Sequence, residues 1–248
     1  MPRPWLLVLV LICARLLSPQ SPGQASKEIL QYNIEWRLVT AGKVVLDWRA
    51  TPPEGQPGWQ ANAHIESTGL VSKLYKVDIN SVSKLNQGFC AGSSLTNGRE
   101  GNRWRETTVT FDSESRKSIY RERDLARNII IALQEAAMPP CVHDVIGGLF
   151  YLRTLDLEPG QSIEIPVSDG KKSVMAKIEA QQREEVKAPD GTYRTIRYEL
   201  YLFNNVLFRR PAHLYVWLSD DRRRLPVQIR VRMPITIGTV TLQLERHE

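Results

Sequence analysis

The chain is poor in the residues from which most catalytic centres are built. Its 248 residues hold three cysteines and four histidines. His64, His143, His213 and His247 contain no pair at i, i+4 with a third ligand, so the usual zinc arrangements are missing. There is no Gly-x-Ser-x-Gly elbow, which leaves an α/β-hydrolase site without support. There is no glycine-rich phosphate loop. His64-Ile-Glu66 with Pro140-Cys141 comes near a zinc deaminase pattern, but that pattern needs a second cysteine where Asp144 stands. Neither a metal nor a cofactor is expected.

Long apolar runs are equally scarce. One exists, at the N-terminus, where Arg3 precedes the apolar core Leu6–Ala14. Pro19 and Pro22 then break any helix, and Gly23-Gln24-Ala25 places small residues at a cleavage site. The run is too short for a ~30 Å hydrocarbon layer. The expectation is a signal peptide over residues 1–25, cleaved near Ala25, and a single β-rich domain over 26–248 in the periplasm or outside the cell. A retained anchor is the alternative, because Arg15 is an unusual charge late in such a run. Lipidation at Cys13 is not expected, since the preceding Ile12 is large.

Export changes the reading of the remaining cysteines. Cys90 and Cys141 are an even pair in an oxidising compartment, so a disulfide is expected. Two free thiols, one beside His143, would be the other arrangement. As a nucleophile Cys141 would have His143 on the same strand face but no orienting third group.

What the chain has in quantity is alternation. Leu30, Tyr32, Ile34, Trp36 and Leu38 share one face of a strand, with polar residues between them. A turn at Ala41–Lys43 and a second strand over Val44–Ala50 would complete a hairpin. Trp59–Ile65 and Val77–Leu85 continue the pattern, with a short helical turn at Gly69–Tyr75 between them. Arg103–Phe111, Lys117–Asp124 and a short run at Ile129–Ile131 follow. The second half adds Ser162–Val167, Val174–Val186, Thr195–Phe203, His213–Leu218, Val227–Met233 and Thr236–Leu244. Asp169-Gly170 and Asp190-Gly191 are hairpin turns. About eleven strands with short connections predict a mainly β fold. The architecture expected is an antiparallel barrel or strongly curved half-open sheet. One helix, Asp144–Arg153, would pack across it or plug it, with Asp144 as its cap.

The stretches Asp144-Val-Ile-Gly-Gly-Leu-Phe-Tyr-Leu-Arg153, Leu157-Glu-Pro-Gly160, Ala188-Pro-Asp-Gly-Thr-Tyr-Arg-Thr195 and Val216–Val227 carry a resemblance. In order and spacing the chain resembles the exported bacterial family known as domain of unknown function 3108. Gly147 stands where that family often has serine, and Phe150 where tyrosine is common. The resemblance implies an exported β-rich protein and no assigned activity. The hairpin around Trp217 is also similar to the closing strands of half-open barrels that carry lipoproteins or lipids across the periplasm.

Candidate site residues follow from this frame. Asp144 and Arg153 bracket the helix and would anchor it to the sheet, or meet a ligand headgroup. Trp36, Trp48, Trp59 and Trp217 would pack the core or line a hydrophobic cavity. The formal net charge is +6; the leader holds Arg3 and Arg15, so residues 26–248 carry +4. Basic residues gather at 99–105, 116–127, 209–210 and 222–224. They read as solvated hairpin tips, or as attraction to anionic headgroups or glycans through peripheral membrane contact. Nucleic acid is not an expected partner. Three functions are compatible with the sequence: a non-catalytic binder of a hydrophobic envelope component, an envelope scaffold holding another protein, and an unrecognised glycan or lipid hydrolase.

Overall fold

The computed structural model describes residues 27–37, 39–51 and 57–248, so the expected leader and its cleavage near Ala25 lie outside the described residues. The first half of the chain forms β1 (Lys27–Trp36), β2 (Val39–Ala50), β3 (Gly58–Ser67), helix α1 (Gly69–Leu74), β4 (Val77–Asn86) and β5 (Ala91–Glu100). Then come β6 (Arg103–Asp112), β7 (Lys117–Asp124), β8 (Ile129–Ala137) and helix α2 (Val145–Leu152). The second half supplies β9 (Ser162–Ser168), β10 (Ser173–Ala188), β11 (Gly191–Leu200), β12 (His213–Ser219), β13 (Pro226–Arg232) and β14 (Thr239–His247).

All fourteen strands belong to one sheet, in the order β8-β7-β6-β5-β4-β3-β2-β1-β14-β13-β12-β11-β10-β9. Every ladder is antiparallel. The sheet is therefore two runs of sequential hairpins joined side by side where β1 meets β14. No ladder joins β8 to β9, so it remains open. It is nonetheless strongly curved, since side chains cross between its two ends. The Ser118 hydroxyl on β7 donates to the Gly170 carbonyl at 3.0 Å, and Gln134 on β8 donates to the Lys171 carbonyl at 3.0 Å. Gly170 is required at that crossing: its φ is +86°, and a Cβ there would fall 2.6 Å from Val109.

Fourteen strands replace the eleven expected. The strand β5 was invisible to alternation because its sequence, AGSSLTNGRE, has Leu95 as its one large apolar residue. The strand β8 continues past Ile129–Ile131 through residues that hide no continuous face. The β1–β2 turn also differs from expectation. Trp36 already pairs with Val39, so the chain reverses just after β1 rather than at 41–43, and Gly42 lies inside β2; Leu38 lies outside the described residues. A Cβ on Gly42 would stand 2.1 Å from the Glu66 carbonyl, so the glycine serves close approach of β3 rather than a turn.

The concave face is filled unevenly. One buried cluster lies on β9–β12, with Ile178, Tyr198 and Leu218 at its centre. A second gathers Trp48, Leu85, Val109 and Tyr120. A third joins Leu30, Tyr32, Leu46 and Leu244 where β1 meets β14. The helix α2 ties the three together: Leu152 enters the first, Phe150 the second, and Ile146 and Leu149 pack on the third.

Candidate functional site

The concave face has a sealed half and an open half. The sealed half is built around α2. Asp144 caps it, its Oδ1 accepting from the Gly147 amide at 2.6 Å. Burial pushes the Asp144 carboxyl above its usual range, against the opposing pull of the Ser83 hydroxyl and the Gly147 amide. At the other end Arg153 donates to both oxygens of Glu28, at 2.5 and 3.0 Å, and to the carbonyls of Arg223 and Arg224, each at 3.0 Å. One guanidinium thus bolts the helix to β1 and to the β12–β13 turn. Both residues sit where the sequence places them, and their polar contacts are to the protein itself.

A disulfide joins Cys90 to Cys141 with an S–S distance of 2.05 Å. It clamps the strap that leads into α2. The same strap hydrogen-bonds on both sides: the Ala91 amide reaches the Val142 carbonyl at 2.8 Å, and His143 pairs with β9 through Pro166 and Ser168. The His143 ring, buried and stacked on Tyr151, lies 2.8 Å from the Phe89 carbonyl. Burial holds its pKa below the ordinary value. No part of this arrangement leaves a thiol beside His143.

Of the four tryptophans expected to pack the core or line a cavity, three pack in the core. Trp48 is fully buried, stacked on Phe150 at 3.7 Å and on Trp59 at 4.8 Å. Trp59 packs against that same cluster. Trp217 is buried, its indole donating to Glu184 at 2.7 Å with the Arg230 guanidinium 5.0 Å above its ring. Burying a large ring against other rings is the lower-energy use of an inward position when no ligand space is left.

Trp36 is the exception. It lines an apolar cavity of about 380 Å³ at the open half of the concave face. The walls come from β1 (Ile34, Trp36), β3 (Ile65) and α1 with its C-terminal flank (Val71, Tyr75). The β13–β14 connection closes the far side with Met233 and Ile237. Glu66 and Ser67 are the polar members of the lining. Ile34 and Ile65 also pack on the cluster beneath α2, so the cavity floor is the top of the core. The helix α1 is only six residues long and buries none of them completely, so it roofs the space without filling it. The Trp36 indole donates to the Ile237 carbonyl at 2.8 Å, which fixes the ring at the rim.

The opposite face of the same strands carries a polar groove of about 660 Å³, lined by Glu35, Arg37, Arg230, Arg232, Thr241 and Gln243. Glu35 accepts from Gln243 at 2.9 Å.

Residues 31–245 match the family described as "Protein of unknown function (DUF3108)". The chain belongs to the DUF3108 family. No curated protein matches its sequence. Among solved structures it is similar to the "Beta-barrel-like Protein of Domain of Unknown Function DUF1849" from Brucella abortus. That likeness has a TM-score of 0.58 at 6% identity, over 91% of this chain and 98% of that one. A Bacteroides fragilis protein with a YmcC-like fold is more distant, with a TM-score of 0.38 at 12% identity, over 92% and 97% of the two chains. The barrel-like fold is shared with the Brucella abortus protein; ligand and activity are not given by that likeness.

Gly147 has little room for a larger side chain. A Cβ would lie 3.0 Å from Asp144 Oδ1, from Leu85 and from the Phe89 carbonyl. Three histidines each meet one carboxylate: His64 with Asp78 at 3.0 Å, His213 with Glu199 at 2.8 Å and His247 with Asp190 at 2.8 Å. These pairs lie on different strands, and among the described residues no group of three metal-type ligands occurs. In the basic run 222–224, Arg222 and Arg223 are exposed and Arg224 is partly buried. Arg223 pairs with Asp221 at 2.9 Å, and Arg224 donates to the Leu155 carbonyl at 2.5 Å and to Asp156 at 3.1 Å. Among the described residues no helix is long and apolar enough to cross a membrane, which says nothing about strands.

Proposed function

We propose that this protein is an exported, non-catalytic β-barrel-like binder of a hydrophobic cell-envelope component, taken into the cavity beneath α1. The observation that carries the reading is the cavity itself. It is of ligand size, and its walls are almost wholly apolar at the open end of a curved sheet. Water there gains few hydrogen bonds, so an acyl chain displaces it favourably. Export is supported by the leader sequence and by a disulfide that suits an oxidising compartment.

Trp36 gives the test a built-in probe. A fatty acid brominated along its chain should quench the emission of Trp36, saturably and in competition with the unbrominated acid. Trp36→Phe should remove the quenchable fraction. Quenching that persists undiminished in Trp36→Phe, or no saturable quenching in the wild type, overturns the assignment of the cavity.

One observation favours a second reading, a scaffold that holds another envelope protein. The strand β8 is an edge of the sheet, and Ile129, Ile130 and Leu133 on it are exposed. Such an edge can accept a partner strand. Cross-linking from residue 133 to a single partner, with no lipid recovered, would support it over the first reading.

A further inference from the structure

The cavity mouth is surrounded by apolar side chains that the fold leaves in water. Ile235, at the β13–β14 tip, is 95% exposed; Leu74 and Leu70 on α1 are 78% and 67% exposed. Tyr75 and Ile237 stand half-exposed beside them. Single exposed aliphatics are ordinary on any protein surface. Here they occupy the tips where turn residues are normally polar, and they share one end of the sheet.

The tips are joined to each other. Arg37 donates to the carbonyls of Ile235 at 2.8 Å and Thr236 at 2.6 Å, so the β13–β14 tip is pinned to the β1–β2 turn. The Thr68 amide reaches the Ala41 carbonyl at 2.9 Å, tying α1 to β2. The Gly101 amide reaches the Lys76 carbonyl at 2.7 Å, tying the β5–β6 turn to α1. The exposed side chains are therefore presented by a braced rim.

The rim also carries a positive excess. Segments 35–39, 66–78, 99–103 and 230–238 hold seven cations: Arg37, Lys73, Lys76, Arg99, Arg103, Arg230 and Arg232. Against them stand four carboxylates, Glu35, Glu66, Asp78 and Glu100, which leaves the rim a net +3. Residues 26–248 carry +4, so most of that excess lies at the rim. Cations interleaved with aliphatic tips match a bilayer of anionic lipid, whose headgroups take the cations and whose acyl boundary takes the tips.

From this geometry we infer that the rim docks on an anionic lipid bilayer, with Leu70, Leu74 and Ile235 inserted and the mouth of the cavity facing the membrane. The inference rests on the acyl-chain reading for what would pass through that mouth; docking itself does not need it. The expected strength is moderate. Each cation near the surface contributes roughly fivefold to binding in low salt, and the aliphatic tips add a salt-independent part.

The test is flotation of the protein (residues 26–248) with vesicles of equal parts phosphatidylcholine and phosphatidylglycerol, compared with phosphatidylcholine alone. Binding is expected to the anionic vesicles, and should fall as salt rises from about 0.05 to 0.5 M. The variant L74D/I235D should lose at least tenfold in vesicle binding while keeping the wild-type melting temperature, because both side chains already face water. Its saturable quenching by free brominated fatty acid should persist. That combination separates docking from cargo: loss of quenching in the wild type sinks the cargo reading alone. Failure of the wild type to bind anionic vesicles, or equal binding by L74D/I235D, overturns the docking proposal. Concentration-dependent dimerisation that L74D/I235D abolishes, with no vesicle binding, would assign the rim to a second copy of this chain instead.

Discussion

Asp144 and Arg153 carry opposite charges into nearly the same protein interior, and the surroundings treat them differently. Arg153 leaves only 4% of its side chain exposed, but it meets a two-pronged carboxylate and two carbonyls, so its donors are met. A guanidinium fork suits this use because its planar donors match both oxygens of Glu28 at once. Asp144 has a cap to make and little else to offset burial, so its carboxyl is pushed upward. The sign of the consequence is definite. A carboxyl whose folded pKa is raised binds its proton more tightly folded than unfolded. Its charge therefore costs stability at neutral pH, and that cost is relieved as pH falls through the folded value. Asp144→Asn keeps an acceptor for the Gly147 amide and removes the charge. Its melting temperature at pH 7 should equal or exceed that of the wild type, and any advantage should vanish near pH 4, close to the unfolded carboxyl value. Asp144→Ala, which loses the cap, should cost about 1 kcal/mol. Calorimetry of the two variants across that pH range checks both statements; an Asn variant that melts well below the wild type at pH 7 contradicts them.

At the scale of elements, the two helices differ in what they can close. The helix α2 is eight residues long, is capped at both ends and sends buried residues into the core clusters. The strap before it is locked by Cys90–Cys141, across 51 residues of chain. A loop of that size corresponds to about 4 kcal/mol in the chain-entropy account. Cys141→Ser should therefore lower the non-reducing melting temperature by roughly 10 °C. An unchanged melting temperature, or two titratable thiols in the native wild type, would contradict the bridge. By contrast α1 has no fully buried residue and no side-chain cap, so it is held by its neighbours rather than by its own packing.

Much of this was legible beforehand. The boundaries of α2 followed from Asp144 and the apolar set after it, and most strands followed from period-2 alternation. The strand β5 did not, because Ser, Thr and Asn hide no apolar face. The cavity was not legible either. Ile34, Ile65 and Val77 alternate exactly as core residues do, and alternation says which side of a strand faces inward, not whether anything fills the space there. A usable signal was present in Pro234-Ile-Thr-Ile-Gly238 and in Leu70 and Leu74, which are apolar residues at chain reversals where polar ones are the rule. Trp48, Trp59 and Trp217 were grouped with Trp36 because all four share the alternation. Their separation depends on α2, whose Phe150 takes the space against Trp48.

At the scale of the molecule, an open, curved sheet has two ways to satisfy its concave face. It can pack that face with its own side chains, as α2 does at one end, or leave it for something else, as beneath α1. The first gives a stable platform with Tyr32, Trp48 and Tyr198 fully buried. The second leaves an apolar space that water fills poorly, ringed by cations and exposed aliphatics. On the proposed reading, stability and binding are divided along the length of one sheet. The cavity floor, formed by Ile34 and Ile65, is where the two halves meet.

The most direct test of that division is native mass spectrometry of the protein purified from its own cell envelope, followed by solvent extraction, beside the cavity-filling variant Val71→Phe. The account predicts a reproducible added mass on the wild type that extracts as lipid, and its loss in Val71→Phe with folding retained. A bare wild-type mass, or an adduct that Val71→Phe carries equally, would contradict it.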